Sequence, residues 1–216
     1  MGKIKAVFYD LDNTLYPQKQ DIIQRIEHCL NLFSVKNKGQ IKKFWLKEWE
    51  NDGPKKNDII DRVIKEFSLK IDKELLLQEF RSFRTKIKLE PSVHCLLLDL
   101  KKMGIKQFLI TNGNYTTQWN KIEELGLNKI FDELVIATGE TAKPSDFWFK
   151  YYLNKYKLKP EETLMVGDWY EVDGIPAKVL GIKYLHLLKG IVKESLPPDI
   201  DVIYELEEIR RFIFNE

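Results

Sequence analysis

Short apolar runs recur along the chain, and each stops at a polar or glycine-containing turn. Ala6-Val7-Phe8-Tyr9 stops at Asp10, and Gln107-Phe108-Leu109-Ile110 at Thr111-Asn112-Gly113. Leu134-Val135-Ile136-Ala137 stops at Thr138-Gly139, and Thr163-Leu164-Met165-Val166 at Gly167-Asp168. Two weaker runs follow, over 183–187 and 201–204. Uninterrupted apolar runs of about four to eight residues fit strands buried on both faces, because a half-exposed strand would alternate with polar residues. Helical spacing fills the intervals. Val93, Leu96, Leu97 and Leu100 precede a stop at Met103-Gly104, residues 116–125 precede Gly126, and 147–156 form a third pattern. Alternating strand and helix joins parallel neighbours through right-handed crossovers and covers both sheet faces. The expected fold class is therefore α/β, a doubly wound parallel sheet.

Residues 17–91 break this alternation, for they contain no convincing strand. Ile22, Ile26, Cys29, Leu30 and Phe33 recur at helical intervals, as do Ile41, Phe44, Trp45 and Trp49. Ile60, Val63, Ile64 and Phe67 follow, then Leu75, Leu76, Phe80 and Phe83. Asn51-Asp52-Gly53-Pro54 and residues 68–72 read as turns. About four helices inserted after the first strand suffice for a helical subdomain. The expected organisation is a core from 1–16 and 91–216, with helices over 17–90. Trp45 and Trp49, four apart, fit the core of that subdomain; they also fit an aromatic face that closes over a planar group. Residues 17–91 carry 17 basic and 12 acidic residues, a bias that suits a lid over an anion and equally suits solvated helix faces.

Overall charge is nearly balanced, with 35 basic against 33 acidic residues, so nothing asks for a nucleic-acid polymer as partner. Cys29 and Cys95, at apolar helical positions, read as core rather than as a disulfide or a metal pair. His28, His94 and His186 share no spacing with each other or with the aspartates, and none is assigned a role. The run Met1-Gly2-Lys3-Ile4-Lys5-Ala6 matches neither a secretory leader nor a myristoylation pattern, and no apolar stretch approaches the ~20 residues of a membrane span. A cytoplasmic protein without membrane contact is expected.

In an open parallel sheet the functional crevice lies beyond the carboxyl ends of the strands. The first strand delivers Asp10-Leu11-Asp12-Asn13-Thr14 there, the second Thr111-Asn112, and the fourth Gly167-Asp168 with Asp173 shortly after. Lys143-Pro144 follows the third. Aspartates gathered this way repel each other, and one lysine does not neutralise four of them. An all-oxygen set suits Mg²⁺, which shares a phosphate and keeps waters. A cation, a lysine and a hydroxyl make a phosphate-sized pocket, and an aspartate nucleophile turns it into a phosphoryl-transfer site. An acid two residues on can protonate the leaving oxygen and later activate water.

These residues resemble the haloacid dehalogenase-like hydrolase superfamily along the whole chain. The D-x-D-x-T motif stands as Asp10-Leu11-Asp12-Asn13-Thr14, the motif Thr or Ser as Thr111, the lysine as Lys143-Pro144, and G-D-x-x-x-x-D as Gly167-Asp168-Trp169-Tyr170-Glu171-Val172-Asp173. The helices over 17–90 look like that family's cap. The resemblance implies a phosphatase with Asp10 as nucleophile and Asp12 as general acid/base. It implies Mg²⁺ on Asp10, the Asp12 backbone carbonyl, Asp168 and Asp173, and a phosphoryl group held by Thr111, Asn112 and Lys143. Bulky Trp169 and Tyr170 depart from the smaller polar residues common there, which bears on the path that delivers Asp173. Specificity in such enzymes lies in the cap and in positions such as Tyr16, Asn114 and Tyr115. The expected substrate is a small phosphorylated metabolite: the run from Asp12 to Pro17 looks like pyrimidine nucleotidases, the rest like phosphoglycolate-phosphatase-like members.

Other functions are weighed against this one. A dehalogenase of the superfamily lacks the second acid, so Asp12 argues against dehalogenation. A phosphomutase would share every catalytic residue and differ in how its cap excludes water. A phospho-accepting receiver domain pairs acids, a Thr and a Lys on a parallel sheet, but it has no helical insertion. A dinucleotide-binding role has no G-x-G-x-x-G behind it.

Overall fold

The structure, a computed structural model, describes residues 3–52, 58–188 and 196–214. Gly53-Pro54 of the expected turn lies outside the described residues. In chain order the elements are β1 (Ala6–Tyr9), α1 (Gln18–Leu32), α2 (Lys38–Asp52), α3 (Ile59–Glu66), α4 (Lys73–Ser82) and α5 (Pro91–Lys102). There follow β2 (Lys106–Asn112), α6 (Tyr115–Glu124), β3 (Glu133–Ala137), α7 (Phe147–Tyr156) and β4 (Thr163–Gly167). The chain continues through α8 (Ile175–Val179), β5 (Lys183–Leu187), β6 (Asp201–Ile203) and α9 (Ile209–Phe214).

The strands form one sheet in the order β3-β2-β1-β4-β5-β6, and every neighbouring pair is parallel. Successive side chains of a strand point to opposite faces, so each strand feeds two cores. Val7 and Tyr9 pack with Leu97 and Leu100 of α5, Ile122 of α6 and Ile213 of α9. Ala6 and Phe8 pack on the other face with Phe149 and Tyr152 of α7 and Ala177 of α8. The double winding expected from the apolar runs is present. Strand order reverses between β1 and β4, because the chain runs outward one way through β2 and β3 and then the other way from β4. A crevice opens at the carboxyl ends of strands where the order reverses, and Asp10 and Asp168 directly follow these two strands.

Helices α1–α4 have an apolar cluster of their own, which includes Ile22, Ile26, Cys29, Ile41, Val63 and Leu76. Trp45 and Trp49 are buried in it, and the Trp45 ring stacks on Phe80 with centroids 5.6 Å apart. The core reading of the two tryptophans is the one their surroundings support. Pro17 stands at the start of α1 and Pro91 in the first turn of α5, a position where proline's missing N–H leaves no bond unmade. One reading needs correction. Cys95 is exposed, because the buried stripe of α5 runs through Val93, Leu96, Leu97 and Leu100, and position 95 falls on the opposite side of the helix.

Candidate active site

The ends of β1 and β4 are held together past the last strand residues, where the Asp10 N–H donates to the Val166 carbonyl at 3.0 Å. After β4 the chain makes a single π-helical turn over Tyr170–Gly174, which carries Asp173 back against the strand end. Glycine at 167 is required by that return. A Cβ there would lie 2.3 Å from Oδ2 of Asp173. A Cβ on Gly174 would likewise meet the Tyr170 ring at 2.3 Å, so Tyr170 packs over the turn. The Tyr184 hydroxyl donates to the Gly167 carbonyl at 3.0 Å and braces the loop from below.

Lys143 lies between two of these acids. Its Nζ is 2.7 Å from Oδ1 of Asp10 and 2.6 Å from Oδ1 of Asp173, with the ammonium buried. Asn112 sets the loop that delivers it: the Asn112 Nδ2 donates to the Lys143 carbonyl at 2.7 Å, and the Lys143 N–H donates to Oδ1 of Asn112 at 2.9 Å. Asp10, Asp168 and Asp173 each bring a carboxylate oxygen into a group spanning no more than 4.8 Å. Burial pushes the Asp10 carboxyl up to about 7; the Lys143 charge pulls it down and the Asp173 charge pushes it further up. Burial raises Asp168 well above the carboxylate range, and Asp10 and Asp173 add to it. Burial opposes the Lys143 charge, but the Asp10 and Asp173 carboxylates outweigh it and hold the ammonium protonated. Among the described residues, one half-buried and two buried acids gather here, and the ammonium contacts only two of them. This donor set, all oxygen and short of positive charge, fits a hard divalent ion.

Asp12 turns into different surroundings. The Lys121 Nζ lies 2.8 and 3.0 Å from its two oxygens, the Tyr16 hydroxyl donates to Oδ1 at 2.6 Å, and the Gln118 Nε2 donates to Oδ2 at 3.0 Å. Burial works against ionisation here too. The Lys121 charge and the hydrogen bonds from Lys121, Tyr16 and Gln118 outweigh it, and the Asp12 carboxyl is held below its ordinary value. Gln118 also donates to the Thr111 Oγ1 at 2.7 Å, which ties the hydroxyl at the end of β2 to the acid after β1. Lys121 is itself 3.6 Å from Asp21 of α1.

Sequence reasoning thus placed Asp10, Asp168, Asp173 and Lys143 in one cluster, and they meet there. It missed Gln118, Lys121, Asp21 and Arg25. Their signal was polar residues inside buried helical stripes: Asp21 and Arg25 stand beside Ile22 and Ile26, and Gln118 and Lys121 share a face with Ile122 and Leu125. Asn112 spends its side chain on the Lys143 backbone. Tyr16 serves Asp12, and Asn114 caps α6 by accepting from the Thr117 N–H at 3.2 Å. Tyr115 is exposed and stacks on Trp119. A cavity of about 330 Å³ between α4 and the β2–α6 loop is lined by Arg81, Ser82, Asn114 and Thr116 among others.

The model of the haloacid dehalogenase-like hydrolase family matches residues 7–187. The chain belongs to that family. The glyceraldehyde 3-phosphate phosphatase of Methanocaldococcus jannaschii is 32% identical over 203 residues, covering 88% of this chain and 88% of the relative. That of Pyrococcus furiosus is 31% identical over 193 residues, covering 85% and 80%. The magnesium-bound HAD-hydrolase YfnB of Bacillus subtilis has the same fold, with a TM-score of 0.75 at 21% identity over 98% of this chain and 99% of that one. The hydrolase and phosphatase expected from the four motifs is borne out by the family and by these relatives. Among the described residues no helix is long and apolar enough to cross a membrane.

Proposed function

We propose that this hydrolase is a Mg²⁺-dependent phosphatase that works through an aspartyl-phosphate on Asp10, with a small phosphorylated metabolite as substrate. The observation that carries the reading is the contrast at the switch point. Asp10 sits in an acid cluster short of positive charge, and Asp12, two residues on, has full hydrogen bonding of its own. Asp10, Asp168, Asp173 and the Asp12 backbone carbonyl would hold Mg²⁺, which when bound supplies positive charge to the phosphoryl oxygens. A carboxylate oxygen of Asp10 attacks phosphorus, and the bond from phosphorus to the leaving oxygen breaks. Asp12, a carboxylate in the resting site, takes up a proton from solvent as the substrate binds and gives it to that oxygen. As a carboxylate it then takes a proton from the water that attacks phosphorus, and the bond from Asp10 to phosphorus breaks. Lys143 and the Thr111 hydroxyl hold the phosphoryl oxygens. Asn112 acts indirectly, through the Lys143 loop.

The two curated relatives direct the substrate reading to glyceraldehyde 3-phosphate. Its leaving group on phosphoryl transfer is the unactivated alkoxide of glyceraldehyde, and such a group needs the proton that Asp12 would supply. Residues 17–90 act in this reading as a cap, joined to the 1–16 and 91–216 core at Tyr16-Pro17 and Glu90-Pro91, that closes over the phosphoryl site and excludes water. Phosphate release from glyceraldehyde 3-phosphate, with Mg²⁺ and with a chelator, tests substrate and metal together. Acid-quenched enzyme, digested and weighed, is expected to carry a phosphoryl group on the peptide that contains Asp10. Turnover in chelator equal to that in Mg²⁺, or a phosphoryl group on another residue, would refute the reading.

A further inference from the structure

Lys121 is 2% exposed and stands on α6 within a stripe that includes Ile122 and Leu125. An apolar residue would be the cheaper occupant, since a buried charge is unfavourable unless partners offset it. Its partners are unusual in their placement. In front, Nζ touches both oxygens of Asp12. Behind, it faces Oδ2 of Asp21 at 3.6 Å. Asp21 is fully buried and held in turn: the Arg25 Nε donates to its two oxygens at 3.0 and 2.9 Å, and the Thr85 hydroxyl donates to Oδ1 at 2.6 Å. The Arg25 Nη1 donates to the carbonyls of Phe80 and Arg81 at 2.7 and 3.2 Å. The brace behind Lys121 therefore draws on α1, the end of α4 and the segment that returns to α5.

Asp12 accepts four hydrogen bonds, and a carboxylate offers about four lone-pair sites. It cannot serve a leaving oxygen without releasing a present partner. Tyr16 and Gln118 each hold one oxygen, whereas Lys121 holds both. Lys121 alone can release one oxygen and keep its hold on the carboxylate through the other. Resting on the acid/base reading of Asp12 given above, we propose that Lys121 is a positioning residue for Asp12. It is the pivot on which the carboxylate turns to the leaving oxygen, and Asp21, Arg25 and Thr85 keep that pivot in place.

The test uses the Mg²⁺-loaded protein and compares an alkyl phosphate, glycerol phosphate, with an activated one, 4-nitrophenyl phosphate. The quantity to compare is kcat/KM, which covers only the steps through departure of the leaving group. Lys121→Met is expected to lower it about 10- to 100-fold for the alkyl ester and less than about 3-fold for the aryl ester, whose departure needs little proton donation. Asp12→Asn and the double variant Asp12→Asn/Lys121→Met are expected to be equally impaired on the alkyl ester, because a pivot has no effect once its acid is gone. Undiminished alkyl turnover in Asp12→Asn would sink the acid/base reading itself. An impaired Asp12→Asn beside an unimpaired Lys121→Met would overturn only the pivot. So would equal loss on both esters, or losses that add in the double variant. Should Lys121→Met fail to fold, Asp21→Asn carries the test, since it keeps the shape behind Lys121 and removes the charge. The same selectivity is expected at about 3- to 10-fold, and none would overturn the proposal.

Discussion

Asp10 and Asp12 are two residues apart on one loop, and their surroundings differ in sign. Asp10 faces Asp168 and Asp173 across a single lysine, and burial lifts its carboxyl to about 7. Asp12 is as much a part of the same crevice, but Lys121, Tyr16 and Gln118 hold it ionised below its ordinary value. Each carboxylate loses water on burial; only one is given enough donors in return. The first is thereby left wanting a cation, and the second is complete without one. Paired acids whose environments push them apart are how one site comes to hold two distinct acid functions.

The largest effect is expected from Asp10→Asn. The amide has neither the nucleophilic oxygen nor the charge a cation needs, so activity should fall at least about 10³-fold on every phosphate ester. Steady-state phosphate release, with circular dichroism as a check on folding, measures it. Asp12→Asn should separate the two acids instead. We expect kcat/KM for alkyl esters to fall about 10²- to 10⁴-fold, and far less for an aryl phosphate. Mg²⁺ binding, followed by calorimetry, should weaken in Asp10→Asn and persist in Asp12→Asn.

A change in neither environment sharpens the contrast. Trp45→Ala opens a hole in the α1–α4 cluster, and a buried Trp→Ala costs about 3–5 kcal/mol of stability. Thermal melting should show that loss, while the ratio of alkyl to aryl rates stays unchanged; a shifted ratio would place the ring at the substrate. The smallest effect is one of pH. In metal-free protein the folded Asp10 carboxyl binds its proton up to about 7, whereas an unfolded aspartate releases it near ~3.9. The folded state therefore holds more protons across that window, and stability falls as pH rises from about 4 to about 7. Mg²⁺ favours the ionised form, so it should raise Tm more at pH 8 than at pH 5. Asp10→Asn should remove much of that difference.

The parallel sheet was legible because burial on both faces leaves a local mark, an unbroken apolar run ending in a turn. Helical spacing within 17–91 likewise marked α1–α4. Asp10, Lys143, Asp168 and Asp173 were legible for a related reason: topology alone carries the residues after parallel strands to one edge. The π turn that delivers Asp173 was not, because it depends on Tyr170 and Tyr184 packing around Gly174. Cys95 was misplaced because an apolar residue type says less about burial than its angle on the helix does.

What the sequence by itself determined is thus whatever repeats locally or follows from strand order: the fold class, the helical insertion, and the acids and lysine at the switch point. What only the tertiary structure decided is which groups neutralise which. Lys121 meets Asp12 across 109 positions and Asp21 reaches Thr85 across 64. Coulombic and hydrogen-bond partners are chosen by proximity in space, and no period along the chain encodes that distance.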